Sequence, residues 1–233
     1  RVEIMGLIKR QEKVINVNNQ ESQIQKNKEE YLSDAVQYYL KSLQHGAKYD
    51  VQAMFRFCSL WFSNDKPAIN AIVKKEVKQV PSHKFLPLFY QIASRVSTAK
   101  TEFQALLGSI IKRVVYRYPH HSLYQIIALS NGDKVGPMRR NHQFEKDPDK
   151  INAAKNILKA MRNTTHKPLV DSLSNLTQAY IELAMWDASK YKKSKQSTFN
   201  IPTKVAIKQI KNLEGIPVTT YNLKPGGEFP YIK

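Results

Sequence analysis

Apolar positions recur along this chain in three- and four-residue steps, and the longest run of such steps joins Phe103, Leu106, Leu107, Ile110, Ile111, Val114, Val115 and Tyr118. That spacing places all eight on one stripe of a helix. At 1.5 Å per residue the helix is about 27 Å long, and its propensity alone would leave it marginal, so it must lie against neighbours. Phe85, Leu88, Phe89, Ile92, Ala93 and Val96 form a second stripe, with Ser82 placed as an N-cap and Pro87 in or near the first turn. Upstream, Tyr31, Leu32, Ala35, Val36, Tyr39, Leu40 and Leu43 make a third, preceded by the polar stretch Asn16 to Lys28, a solvated or frayed helical extension. The segment from Val51 to Phe62 is apolar nearly all round, which predicts a helix covered on several sides in the middle of a stack. Asn64-Asp65-Lys66-Pro67 ends it, and a further helix is predicted from about Ala68 to Val80, stopped by Pro81.

Predicted helix starts near 49, 67, 84, 102 and 121 recur about every 18 residues, so a helix pair takes about 36, close to the tetratricopeptide period and short of the HEAT period. The tetratricopeptide consensus residues are not met. The fold class predicted is all-α, a tetratricopeptide- or HEAT-like helical-repeat solenoid, with a short β segment at the C-terminus. Between Asn131 and Asp149 the period gives way to Asn-Gly, Gly-Pro and Asp-Pro dipeptides, which are turn chemistry. Beyond, Ile151, Ala154, Leu158 and Met161 mark one helix and Leu169, Leu173, Leu176, Tyr180 and Leu183 another, a helical hairpin. Lys190 to Thr203 reads as a basic linker, after which Val218-Thr219-Thr220-Tyr221 and Phe229 to Ile232 flank the turn Pro225-Gly226-Gly227 as two strands. Two strands do not stand alone in water, so they open a β unit that these residues do not complete. The predicted division is 1–140, 148–192 and 193–233.

A hydrophobic share of 42% over 233 residues suffices for a core and argues against disorder throughout. Arg1 opens the chain without an initiator Met, and no charged-then-apolar leader follows, which predicts an internal fragment with neither signal peptide nor anchor. No apolar run approaches the length needed for a membrane span. Cys58 is the single cysteine, set among Phe57, Leu60 and Trp61, and reads as a buried structural thiol in a reducing compartment, cytoplasmic or nuclear.

The formal charge of +18 changes the picture further, because clustered Lys and Arg release counterions from nucleic-acid phosphates. Lys190, Lys192, Lys193 and Lys195 form one cluster, Lys74, Lys75, Lys78, Lys84 and Arg95 a looser set, and Arg139 and Arg140 lie in the predicted loop. Each equally suits a solvated face or a dock for an acidic partner segment, so a freestanding basic scaffold binding nucleic acid or protein stands as the alternative function.

Candidate chemistry is sparse. Pro225-Gly226-Gly227 lacks both Gly-rich phosphate-binding frames. His120 and His121 are adjacent, so on a helix they diverge by about 100° and cannot face one metal; they read as a loop or cap. His83, His142 and His166 are scattered, while Glu29-Glu30, Asp147 with Asp149, and Glu182 read as helix N-terminal, loop and solvated-face charges. No protein-kinase catalytic loop, Asp-Phe-Gly or nucleophile elbow occurs, and no catalytic, cofactor-binding or metal residue is assigned.

Three runs carry more information than the charge. Phe55-Arg56-Phe57-Cys58-Ser59-Leu60-Trp61-Phe62, Lys84-Phe85-Leu86-Pro87-Leu88-Phe89-Tyr90-Gln91-Ile92-Ala93 and Pro119-His120-His121-Ser122-Leu123-Tyr124-Gln125-Ile126-Ile127-Ala128-Leu129-Ser130-Asn131 occur in this order. Together they resemble the end of the FAT helical region in the ataxia-telangiectasia-mutated group of phosphoinositide-3-kinase-related kinases. Asn200-Ile201-Pro202 and Ile210-Lys211-Asn212-Leu213-Glu214 resemble the run into that group's catalytic domain, whereas Gly132 to Lys150 departs from the pattern and is shorter.

The resemblance implies a FAT-type repeat region over 1–140, a hairpin preceding the kinase over 148–192, and a linker with the first strands of an incomplete kinase N-lobe over 193–233. It further implies a nuclear parent enzyme that phosphorylates Ser or Thr followed by Gln after DNA double-strand breaks, using ATP with Mg or Mn. Implied partners are the chain's own kinase domain, a second copy in a homodimer, and a DNA-break sensor complex, with no membrane. ATP-binding and catalytic motifs would lie beyond Lys233. Within this frame Phe55, Trp61, Phe89, Tyr90, Leu123 and Tyr124 are expected to build the solenoid core, and the helix from Leu169 to Ala188 to pack toward the N-lobe.

Overall fold

The computed structural model describes residues 2–134 and 146–186, with side chains from 21 onward. Among them every regular element is helical. In order these are α1 (Val2–His45), α2 (Asp50–Ser63), α3 (Pro67–Glu76), two 3-10 segments (Val77–Gln79 and Ser82–Leu88), α4 (Phe89–Ala93), α5 (Glu102–Arg117), α6 (Pro119–Ser130), α7 (Pro148–Arg162) and α8 (Lys167–Ala184). The all-α expectation therefore holds for these residues. The predicted strands, the linker, Arg139, Arg140, His142, Ala188 and the Lys190 to Lys195 cluster lie outside them.

The chain forms two compact units, 1–81 and 82–233. In the first, α1 packs on α2 and α3, and its buried stripe is Val36, Leu40 and Leu43. The polar stretch 16–28 is helical throughout, and its side chains from 21 to 28 are mostly exposed. Gly46 ends α1 for a steric reason: a Cβ there would stand 2.7 Å from the Ser42 carbonyl oxygen, inside contact distance.

α2 departs from expectation. It buries Ala53, Met54, Phe57, Cys58 and Trp61 on one face, while Val51 and Phe55 remain about half exposed on the other. It is a one-sided helix among the described residues, packing chiefly on α1. Phe57 and Trp61 stack at 5.5 Å between ring centroids, and the Cys58 thiol is buried as predicted, 3.8 Å from the Met54 sulfur.

The second unit is centred on α5. Leu106, Leu107, Ile110, Ile111, Val114 and Val115 are buried, against the Ser82–Leu88 segment, α4 and α6, so the strongest periodic signal in the sequence is an enclosed stripe in the fold. Thr101 caps α5 by accepting the Gln104 amide at 3.1 Å. α6 packs on α7 and α8, and α7 on α8, which realises the predicted hairpin. Ser82 does not cap an α-helix: residues 82–88 are 3-10, and α-helix begins only at Phe89, after Pro87, whose ring blocks and whose missing N–H weakens α-helical bonding around it.

Candidate interaction surfaces

Trp61, Phe89 and Leu123 are buried as expected of core residues. Phe55, 51% exposed, and Tyr90, 62% exposed, are not core, and Tyr124 is half-buried. The misassignment of Phe55 and Tyr90 has one cause, since each lies on the face of its helix opposite the buried set and hydrophobic character alone does not choose the face.

Polar ties position the packed faces. The Trp61 indole N–H donates to Asn70 Oδ1 at 2.9 Å, and the Asn70 amide donates to Asp65 Oδ1 at 2.7 Å, fixing the α2–α3 turn from a buried position. Gln44 Nε2 on α1 donates to the Glu76 carbonyl at 2.9 Å and to its carboxylate at 3.1 Å. That donor holds the buried Glu76 carboxyl below its ordinary range despite the opposing effect of burial. Lys66 bonds Glu29 at 2.6 Å, so Glu29 sits in the interior of α1 as a tie to the α3 entry rather than at a helix N-terminus.

In the second unit Asp147 and Asp149 are not loop charges. Asp147 caps α7, accepting the Lys150 amide at 3.0 Å, which lowers its pKa; Asp149, in the first turn, accepts from the Thr98 amide at 3.1 Å and from its hydroxyl. The Asp-Pro dipeptide read as a turn is thus an N-cap followed by Pro at the first helical position. Arg162 donates to Asp171 at 2.7 Å and to Ser174 at 3.2 Å, joining α7 to α8. The His166 ring stands edge-on to Tyr116 at 5.1 Å, and its Nε2 lies 2.9 Å from the Tyr116 carbonyl; a carbonyl only accepts, so Nε2 carries the proton. His120 and His121 open α6 in its first turn, and burial depresses the His121 pKa.

Of the loose basic set, Lys74, Lys75 and Lys78 are exposed on the first unit and Arg95 on the second. Lys84, in the Ser82–Leu88 segment, is only 8% exposed, so it is not part of a solvated face. Tyr124, Leu176, Thr177, Tyr180, Ile181 and Ala184 line an open groove between α6 and α8 of about 590 Å³. Partial burial beside α8, with the Tyr180 phenol a lesser cause, raises the Tyr124 pKa. Beyond Leu173 the α8 side chains are progressively exposed, with Tyr180 at 65% and Leu183 at 43%. Periodicity missed the polar ties because, the Asp-Pro cap aside, they join residues 5 to 51 positions apart, and only that cap left a local signature.

Among the described residues no three His, Cys, Asp or Glu side chains converge as a metal site, and no helix is long and apolar enough to cross a membrane. Nothing in these surfaces frames an ATP phosphate or a catalytic metal, so no step through either is assigned to the residues present. Their geometry suits holding other protein elements: rigid packed stripes, with apolar faces left at α2 and along the second half of α8.

Comparison with known proteins agrees with this picture. The family described as "Serine/threonine-protein kinase ATR-like, HEAT repeats" matches residues 68–177. The serine/threonine-protein kinase ATM of Arabidopsis thaliana is 31% identical over 238 residues, covering 95% of this chain and 6% of that protein. Among solved structures, the FAT and kinase domain of CtTel1 superposes with a TM-score of 0.62 at 26% identity, over 75% of this chain and 11% of that one. The complete CtTel1 dimer with C2 symmetry gives a TM-score of 0.62 at 26% identity, over 75% of this chain and 6% of that one. The chain therefore spans a small fraction of the proteins it matches. Matched in sequence over 95% of its length and in helical fold over 75% of it, the chain belongs to the ATM/Tel1 family of serine/threonine kinases.

Proposed function

We propose that this chain is a scaffold segment of a nuclear serine/threonine kinase of the DNA-damage response, in which its helices clasp the kinase domain and contribute to a homodimer. The parent enzyme phosphorylates Ser or Thr followed by Gln after double-strand breaks, with ATP and Mg or Mn bound in the catalytic domain rather than here. A DNA-break sensor complex recruits it. The observation that carries this reading is the match to the FAT and kinase domain of CtTel1 by a chain whose own described residues form helical packing surfaces. The CtTel1 dimer supports the pairing of two copies in the parent kinase.

The exposed second half of α8, with Tyr180 and Leu183, and Met185 just after it, is the surface assigned to the kinase contact. The test is made in the full-length polypeptide. Tyr180→Asp with Leu183→Asp is expected to change phosphorylation of a Ser-Gln peptide at least about tenfold, a coupling of about 1.4 kcal/mol, without altering expression. Unchanged rates in the doubly substituted enzyme would refute the clasp.

A further inference from the structure

Between α4 and α5 the chain from Val96 to Thr101 forms no helix, and side chains order it instead. The Ser97 amide donates to Gln104 Oε1 at 2.9 Å, the Ala99 amide donates to Ser97 Oγ at 2.9 Å, and Gln104 Nε2 donates back to the Arg95 carbonyl at 3.0 Å. Thr98 stands in the middle of this connection and is exposed. Its amide lies 3.1 Å from the Asp149 carboxylate, and its hydroxyl donates to the same group. One threonine therefore ties the entry to α5 to the first turn of α7, a contact within the second unit. The connection has described helices on both sides of it in the chain, so its exposure is not that of an end of the described residues.

The flanking sequence suits one kind of modifying enzyme. Arg95 precedes Thr98 by three positions and is exposed, and small Ala99 and then Lys100 follow it. An arginine-directed kinase grips its acceptor in an irregular, extended segment with Arg at that distance. The same spacing occurs at Arg56 with Ser59 and at Arg162 with Thr165. Ser59, however, lies within α2, and the Arg162 guanidinium donates to Asp171 and Ser174. Thr98 followed by Ala99 does not meet the Ser/Thr-Gln preference proposed for the parent enzyme, so a different kinase would have to act on it.

We propose that Thr98 is a phosphorylation site for an arginine-directed serine/threonine kinase, and that its phosphate releases the α4–α5 connection from α7. Transfer forms a bond from Thr98 Oγ1 to the γ-phosphorus of ATP and breaks the bond from that phosphorus to the bridging oxygen. ADP leaves, and the hydroxyl proton passes to the kinase's base. The product has lost the hydroxyl donor to Asp149 and carries about 1.5 to 2 negative charges beside that carboxylate. A helix N-terminus by itself favours an anion, but Asp147 and Asp149 already occupy this one, and Lys150 is paired with Asp147 at 3.3 Å. A third anionic group there is repelled, and the loop moves off α7. This reading does not depend on the kinase contact assigned to α8.

The full-length polypeptide is incubated with the catalytic subunit of cyclic-AMP-dependent protein kinase, ATP and Mg, and the products are mapped by mass spectrometry. Phosphate is expected on Thr98, with none there in Thr98→Val, and Arg95→Gln is expected to slow its incorporation at least about tenfold. Hydrogen exchange in the first turn of α7 is expected to quicken at least about threefold on phosphorylation. Asp149→Asn keeps an acceptor but removes the repulsion, so the phosphate should then quicken exchange less than about half as much. The polypeptide isolated from its own cells under phosphatase inhibition is expected to carry the modified peptide. Phosphate on Ser97 or Thr165 in place of Thr98, an undiminished rate in Arg95→Gln, or absence of the modified peptide from cells would overturn the proposal. So would exchange that is unchanged or slowed by the phosphate, or quickened equally in Asp149→Asn.

Discussion

α5 and α2 are both rich in apolar residues, yet they meet opposite fates. α5 spaces its apolar positions on a single stripe with polar residues between, and the stripe is enclosed from Leu106 to Val115. α2 carries apolar residues around most of its circumference, and the fold encloses only the face of Met54, Phe57 and Trp61. Periodicity is a statement about direction, and direction is what packing consumes; hydrophobic content is not. The surplus on α2, Val51 and Phe55, is therefore left exposed among the described residues.

One substitution made twice would break or confirm that contrast. Leu107→Asp places an unpaired charge in the enclosed stripe and should cost about 4 kcal/mol or more, enough to unfold or aggregate the second unit. Phe55→Asp, on the exposed face of α2, should shift stability by no more than about 0.5 kcal/mol. Thermal melts by circular dichroism read both, and comparable losses would show α2 to be enclosed all round. Asn70→Ala tests the polar side of α2: it strips the partner from the buried Trp61 indole N–H and should cost about 1–3 kcal/mol in urea unfolding. Asp147→Ala removes the α7 cap and should cost about 1 kcal/mol, confined to the second unit, with hydrogen exchange quickening in the first turn of α7.

The smallest effect expected is a pH slope. Burial holds the His121 pKa below 6.5, so the unfolded chain binds a proton more readily than the folded one. The stabilisation is then complete above the unfolded value and is lost as pH falls below about 6.5 toward the folded value. Melts at pH 7.5 and 5.5 should differ less in His121→Gln than in the parent sequence. An identical slope in both would place the titration elsewhere.

Much of the helix register was legible in advance. The stripes at 85–96, 103–118 and 151–161 name most of the residues that are buried there, and Cys58 was placed correctly from its apolar neighbours alone. The failures share a cause. Phe55 and Tyr90 were assigned to the core on side-chain type, although their positions lie off the buried faces of α2 and α4. Lys84 reads as one of a loose basic set, yet it is buried within a 3-10 segment, which charge pattern alone does not show. Asp147 looked like turn chemistry because an N-cap and a turn use the same residues until a helix is seen to follow.

The sequence by itself determined that the described residues are helical, which residues share a stripe, that helices start near 49, 67, 102 and 121, and which kinase family the chain joins. These follow from short-range steric rules and from ordered motifs that tolerate no rearrangement. Only the tertiary structure decided which of two apolar faces on α2 is covered and that Asn70 would satisfy Trp61. Those outcomes depend on which helix arrives beside which, a choice made by long-range packing among faces that local sequence leaves equivalent.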